Sequence, residues 1–132
     1  MNIDEIYELF TWDLNCTPEE NAAREAKAMA EARKLKNLHP FFQPIIVSTR
    51  PSKSAWDPCA RLIVERSDEE LKPYLFPLLE WIQDMNWPGA DTIFERLRAM
   101  PYEMIESHIC FCKRIAAQTN DEIWMENLDA LR

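Results

Sequence analysis

Pro88-Gly89-Ala90-Asp91-Thr92-Ile93-Phe94-Glu95-Arg96 repeats a stretch met thirty residues earlier, Pro58-Cys59-Ala60-Arg61-Leu62-Ile63-Val64-Glu65-Arg66. Pro, Ala, Ile, Glu and Arg are identical at the same places, and Val64 and Phe94 are both apolar. A tryptophan stands just before each copy, Trp56 and Trp87. Each copy reads as a Pro-initiated helix, a short turn and a second helix, since proline suits the first helical position. The second helices are expected at about 68–85 and 101–117. A Pro-Tyr pair recurs between them, Pro73-Tyr74 and Pro101-Tyr102. A two-helix unit of this length cannot bury its apolar stripe alone and needs a neighbour. The expectation is therefore an all-α fold: a right-handed, HEAT-like stack of antiparallel helical hairpins, about seven helices in one domain spanning 1–132. Residues 1–55 would form N-terminal helices and a loop, and 56–132 the repeats.

Just upstream lies Leu78-Leu79-Glu80-Trp81-Ile82-Gln83-Asp84-Met85-Asn86-Trp87, which ends one amphipathic helix and turns toward the next. Leu75, Leu78, Leu79, Ile82 and Met85 share a face at helical spacing. Ile93, Phe94, Leu97 and Met100 form the next stripe, and Ile105, Ile109, Cys112 and Ala116 the one after. Trp56 and Trp87 fit the wedge between repeats, whereas Trp81 lies beside the Leu78/Ile82 stripe and reads as half exposed. Gly89 pairs with Cys59, which needs no positive φ, so Gly89 is expected to serve close packing without a Cβ rather than a left-handed turn. Ser67-Asp68-Glu69-Glu70 is a capping box. Pro73 and Pro77 should kink or restart the helix that follows, because each removes an amide donor.

Toward the N-terminus, Ile3, Ile6, Tyr7, Phe10 and Leu14 predict a helix over 3–14. Thr17-Pro18-Glu19-Glu20 is a helix start, with Thr as cap, Pro at the first position and acids facing the positive dipole end. A helix over about 18–38 follows, with Ala22, Ala26, Met29, Leu35 and Leu38 on its apolar line, ended by His39-Pro40. Residues 40–55 are irregular; Phe41, Phe42, Ile45 and Ile46 suggest that the first half is pinned to the core, and a short strand is conceivable at 45–49. At the other end, Asn120-Asp121 starts a last helix in which Ile123, Trp124, Leu128 and Leu131 cap the stack.

Composition agrees. One glycine in 132 residues is far below the usual ~7% and disfavours β architecture with its tight turns. Apolar residues at 47% argue against disorder. A net charge of −8 repels phosphate backbones, so nucleic acid is not an expected partner, while a basic protein is. No secretory signal and no membrane span is evident, so a cytoplasmic protein with its four cysteines reduced is expected.

Chemistry finds little purchase. Cys110, Cys112 and His108 invite a metal reading, but residues two apart on a helix point about 200° apart, which leaves His108 and Cys112, too few for a structural zinc site. The bland reading, two small helix cysteines and a polar histidine, is preferred; no metal and no cofactor is expected. No nucleophile elbow, phosphate loop or zinc-protease helix is present, so no enzyme is expected. Arg61, Arg66, Arg96 and Arg98 could line a groove for nucleic acid, but Glu65/Arg66 and Glu95/Arg96 read better as surface ion pairs. The turns between repeats remain: Trp56 and Asp57 at one, Trp81, Asp84, Asn86 and Trp87 at the next, aromatics with acids that suit a basic partner.

The segment Ser67–Pro73 together with Leu78–Ala90, and the closing Asp121-Glu122-Ile123-Trp124, resembles a bacterial family known as domain of unknown function 5071, over roughly residues 56–128. The Trp-x-x-Asp-x-Asn-Trp-Pro core at 81–88 carries the likeness. The resemblance implies a small helical, HEAT-like bacterial protein and no particular activity. The function expected is a non-catalytic protein-binding module, by analogy an immunity-type protein neutralising a basic toxin; the alternative is a helical-repeat enzyme or nucleic-acid-binding protein of glycosylase-like type.

Overall fold

A computed structural model describes residues 1–42 and 53–132. The N-terminal pair is α1 (Ile3–Phe10) and α2 (Pro18–Ala32). The remaining helices are α3 (Trp56–Ile63), α4 (Asp68–Leu71), α5 (Leu75–Trp81), α6 (Ala90–Arg98), α7 (Tyr102–Gln118) and α8 (Glu122–Asp129). Three 3-10 turns, His39–Phe42, Lys53–Ala55 and Lys72–Tyr74, complete the described secondary structure, which holds no strand. α4 and α5 are halves of one rod, so the described residues form seven rods and the fold is all-α, as expected.

The helix starts are written in the sequence. Thr17 and Ser67 each close a capping box with Glu20 and Glu70, satisfying two orphan donors at once. Pro73 sits in the 3-10 turn that breaks the 68–81 rod. Pro77, by contrast, falls in the first turn of α5, where its missing donor has no partner to lose, and the helix runs through it. The rod ends at Trp81 rather than Met85.

Other helices also depart from expectation. α1 stops at Phe10: Thr11 turns extended, its hydroxyl donates to Tyr7 O at 2.8 Å, and Leu14 is left 91% exposed instead of joining the core. α2 ends at Ala32 rather than at residue 38, and its buried face is Asn21, Ala28, Met29 and Ala32, whereas Ala22 and Ala26 are exposed. The alanines are interchangeable by composition, so packing against α1 and α3 chooses the face. In α8, Ile123 is exposed while Trp124 and Leu128, and Leu131 just beyond the helix, are buried. Phe41 and Phe42 are fully buried as expected; Ile45, Ile46 and the conceivable strand at 45–49 lie outside the described residues.

The repeat has a mechanical meaning. α2 packs on α3, and α3 on α6. Arg66, just beyond α3, donates to Leu35 O at 2.8 Å and Arg33 O at 3.3 Å, carbonyls just beyond α2. Arg96, its counterpart near the end of α6, donates to Arg66 O at 2.9 Å. Each arginine thus reaches the negative carbonyl end of the helix before it, which requires α2, α3 and α6 to stand side by side and parallel. A second layer interlocks likewise: Trp124 Nε1 donates to Leu79 O at 3.0 Å and Asn127 Nδ2 to Ile82 O at 2.8 Å, at the carbonyl end of α5. One apolar core runs through both layers from Ile6 to Leu131.

The two copies are not alike at their start. α3 begins at Trp56, so Pro58 and Cys59 lie inside it, whereas α6 begins only at Ala90. Gly89 has φ 83° and ψ −10°, and Ala90 N donates to Trp87 O at 3.1 Å. Trp87-Pro88-Gly89-Ala90 therefore has the form of a type II turn, which demands a left-handed third residue. The expectation that Gly89 needs no positive φ is thus wrong, because its conformation does not follow that of Cys59. The close-packing half of that expectation holds: a Cβ on Gly89 would stand 2.6 Å from Ala60 Cβ and 3.3 Å from Trp56 O.

Candidate functional site

Of the six residues expected to form a site, the three tryptophans come together, and mostly as structure. Trp81 is fully buried, not half exposed; its Nε1 donates to Pro88 O at 3.0 Å and so holds the central peptide of the Trp87–Ala90 turn. Trp56 packs edge-on to both Trp81 (6.3 Å between centroids) and Trp87 (5.6 Å). Trp56 is buried and Trp87 half-buried. Asp57 is half-buried and paired with Arg61 at 2.8 Å. Asp84 accepts from Asn86 N at 2.8 Å, closing the bend, and of the six only Asn86 is exposed. The aromatic joint between the two copies is an architectural element with one rim.

The arginines considered for a groove are occupied. Arg61 pairs with Glu25 at 2.5 Å besides Asp57, Arg66 with Glu70, Arg96 with Asp68 and Arg98 with Glu95. Arg33 forks onto Glu65 through two bonds of 2.9 Å, which lowers the Glu65 carboxyl below its ordinary range.

The thiols and the imidazole are spread apart. Cys59 and Cys112 are buried, and burial pushes each thiol up to about 12, Cys112 with help from the Glu80 charge. Cys110 is exposed. His108 is half-buried with Nδ1 unpartnered, and with Phe76 and Phe111 it lines a hollow of about 320 Å³. Among the described residues no three His, Cys, Asp or Glu side chains come together as metal ligands would.

Sequence reasoning missed a different surface. In the turn between α1 and α2, Trp12 is 52% and Leu14 91% exposed. The backbone beneath them is tied down. Asn21, the one buried polar residue among the described residues, accepts from Asp13 N at 2.9 Å and donates to Asp13 O at 3.0 Å. Arg24 donates to Thr11 O at 3.1 Å and Glu8 O at 3.0 Å. Asn15 N donates to Asp13 Oδ1 at 2.8 Å, and Trp12 N to Ser54 Oγ at 3.0 Å. Trp12 stands between two hollows. One, about 420 Å³, is floored by Pro18, Ala22, Ala26 and Met29; the other, about 500 Å³, holds Glu8, Leu14 and Asn15. The signal was present in Thr11-Trp12-Asp13-Leu14-Asn15, a cluster of turn formers, but Leu14 continued the helical stripe and masked it.

Fold and surface together define a small all-α protein of two repeated helical units preceded by a helical hairpin. The chain belongs to the family described as Domain of unknown function (DUF5071), whose model matches residues 54–130. No curated protein and no solved structure matches the chain. The family segment thus covers α3 to α8, and the turn bearing Trp12 lies before it.

Proposed function

We propose that this protein is a non-catalytic binding module for a basic protein partner, built as a HEAT-like stack. Support for the stacking comes from the parallel row α2, α3 and α6 and its arginine interlocks, since side-by-side repetition of equivalent helices is how such folds bury their stripes. The observation that carries the binding reading is the charge of the N-terminal hairpin. From residue 1 to residue 23 every ionised side chain is an acid: Asp4, Glu5, Glu8, Asp13, Glu19 and Glu20. The first base, Arg24, is half-buried and directed onto backbone carbonyls. A surface of one sign steers a partner of the other and repels phosphate backbones.

The bacterial, cytoplasmic, immunity-type role, covering the active site of a basic toxin or nuclease, is the form of binding to test first. The immobilised chain is offered lysate at about 50 mM and about 500 mM salt, where screening differs several-fold. A protein of pI above ~9 held at low salt and released at high salt is expected. Capture of nucleic acid, or of no protein at all, would overturn the proposal.

A further inference from the structure

We infer that the turn between α1 and α2 is the docking element of this binding surface, presenting Trp12 and Leu14 to an arginine- and lysine-bearing protein surface. The inference deepens the binding proposal and rests on it. Two large apolar side chains stand in solvent on a segment that is anything but loose. The core gives up a buried position to Asn21, whose amide bonds both the N–H and the C=O of Asp13. Arg24 holds the two carbonyls at the end of α1 in the same way. A turn fixed this firmly loses little freedom on binding, so contacts made by its side chains appear in the affinity undiminished.

The chemistry around the turn selects the occupant. An indole face attracts guanidinium and ammonium groups, and more strongly where acids lie beside it. Trp12 is exposed next to Asp13, and Glu8 shares a hollow with it. Leu14 supplies the apolar anchor, and the shallow floor of Ala22, Ala26 and Met29 on the other side of Trp12 accepts the partner's own side chains. Aromatic anchors ringed by complementary charge are where binding energy concentrates. Asp13 beside Trp12, and Glu8 in the hollow they share, would repel an acidic or phosphorylated partner, and the arginines of the two hollows, Arg24, Arg33 and Arg61, are already bonded to backbone carbonyls or carboxylates.

A phage-displayed random peptide library, panned in parallel on the full chain and on its W12A and L14A variants, tests this. Neither substitution touches the backbone bonds that hold the turn, and unchanged melting of both variants verifies that the fold is intact. The expected result is enrichment of peptides carrying Arg or Lys on the wild-type chain, with affinity at least ~10-fold weaker for W12A. Basic peptides that bind W12A and L14A as tightly as wild type would overturn the turn as docking element while leaving a basic partner in place. Enrichment of peptides without Arg or Lys would overturn both.

Discussion

Gly89→Ala isolates two demands that one residue meets. At φ 83° an alanine pays the left-handed penalty, about 1–2 kcal/mol. Its Cβ would also lie 2.6 Å from Ala60 Cβ, inside any real contact, so α3 and α6 must separate at an overpacking cost of about 1–3 kcal/mol. Together the substitution should destabilise by about 2–5 kcal/mol, read as a lower urea midpoint at unchanged m-value. The steric share is separable. Ala60→Gly removes the atom struck and by itself costs about 1 kcal/mol of helix propensity. In the double variant the clash is gone and the backbone strain stays, so the two substitutions should couple favourably by about 1–3 kcal/mol. A Gly89→Ala midpoint equal to wild type would refute the whole account. A strictly additive cycle would refute the claim that the two repeats touch at this atom pair.

Four further outcomes are expected. Trp81→Phe and Trp56→Phe delete the same ring, but only Trp81 loses a hydrogen bond, since Trp56 Nε1 is buried without a partner; Trp81→Phe should be the costlier by about 1–3 kcal/mol in chemical denaturation. Arg96→Ala strands Arg66 O and should cost about 1–3 kcal/mol, whereas Arg98→Ala, an exposed pair with Glu95, should stay within about 0.5 kcal/mol; equal losses would contradict the interlock. Iodoacetamide at mildly alkaline pH should label Cys110 in the native protein and reach Cys59 and Cys112, both held as thiols by burial, only after denaturant is added, as peptide mass mapping will read. Burial raises the Glu80 carboxyl, so its ionised form costs stability in full above the folded-state value, and the cost shrinks as pH falls below that value and is gone below the ordinary glutamate range; Glu80→Gln should therefore raise the melting temperature at neutral pH and leave it unchanged in acid.

Much of the helix plan was legible because it is local. The helix start at Thr17, the capping box at Ser67, the break at Pro73 and the stripes of α5 and α7 follow from residues a few positions apart, whose contacts are made within one helix. Helix ends were harder. α1 continues its apolar stripe to Leu14, yet Asn21 and Arg24 of the next helix bind the backbone there and hold it out of the helix. The buried face of α2 was misread because a run of alanines carries almost no periodic signal, and α1 and α3 choose among them.

The joint that opened the sequence reading shows the same division. By itself the chain determined that two homologous units meet between Trp81 and Ala90, since the thirty-residue repeat and the Trp-Pro-Gly run require nothing beyond themselves. Only the tertiary structure decided what each residue does there. Trp81, expected half exposed, lies at the centre, where its indole N–H finds the Pro88 carbonyl. Gly89 departs from its counterpart Cys59 because a turn must fit against Ala60 of the neighbouring helix. The exposed tryptophan is instead Trp12, on a turn fixed by side chains from the following helix. Spacing along a chain sets which residues can share a helix face; which face is covered depends on the partner that arrives in space, and that partner is encoded elsewhere in the sequence.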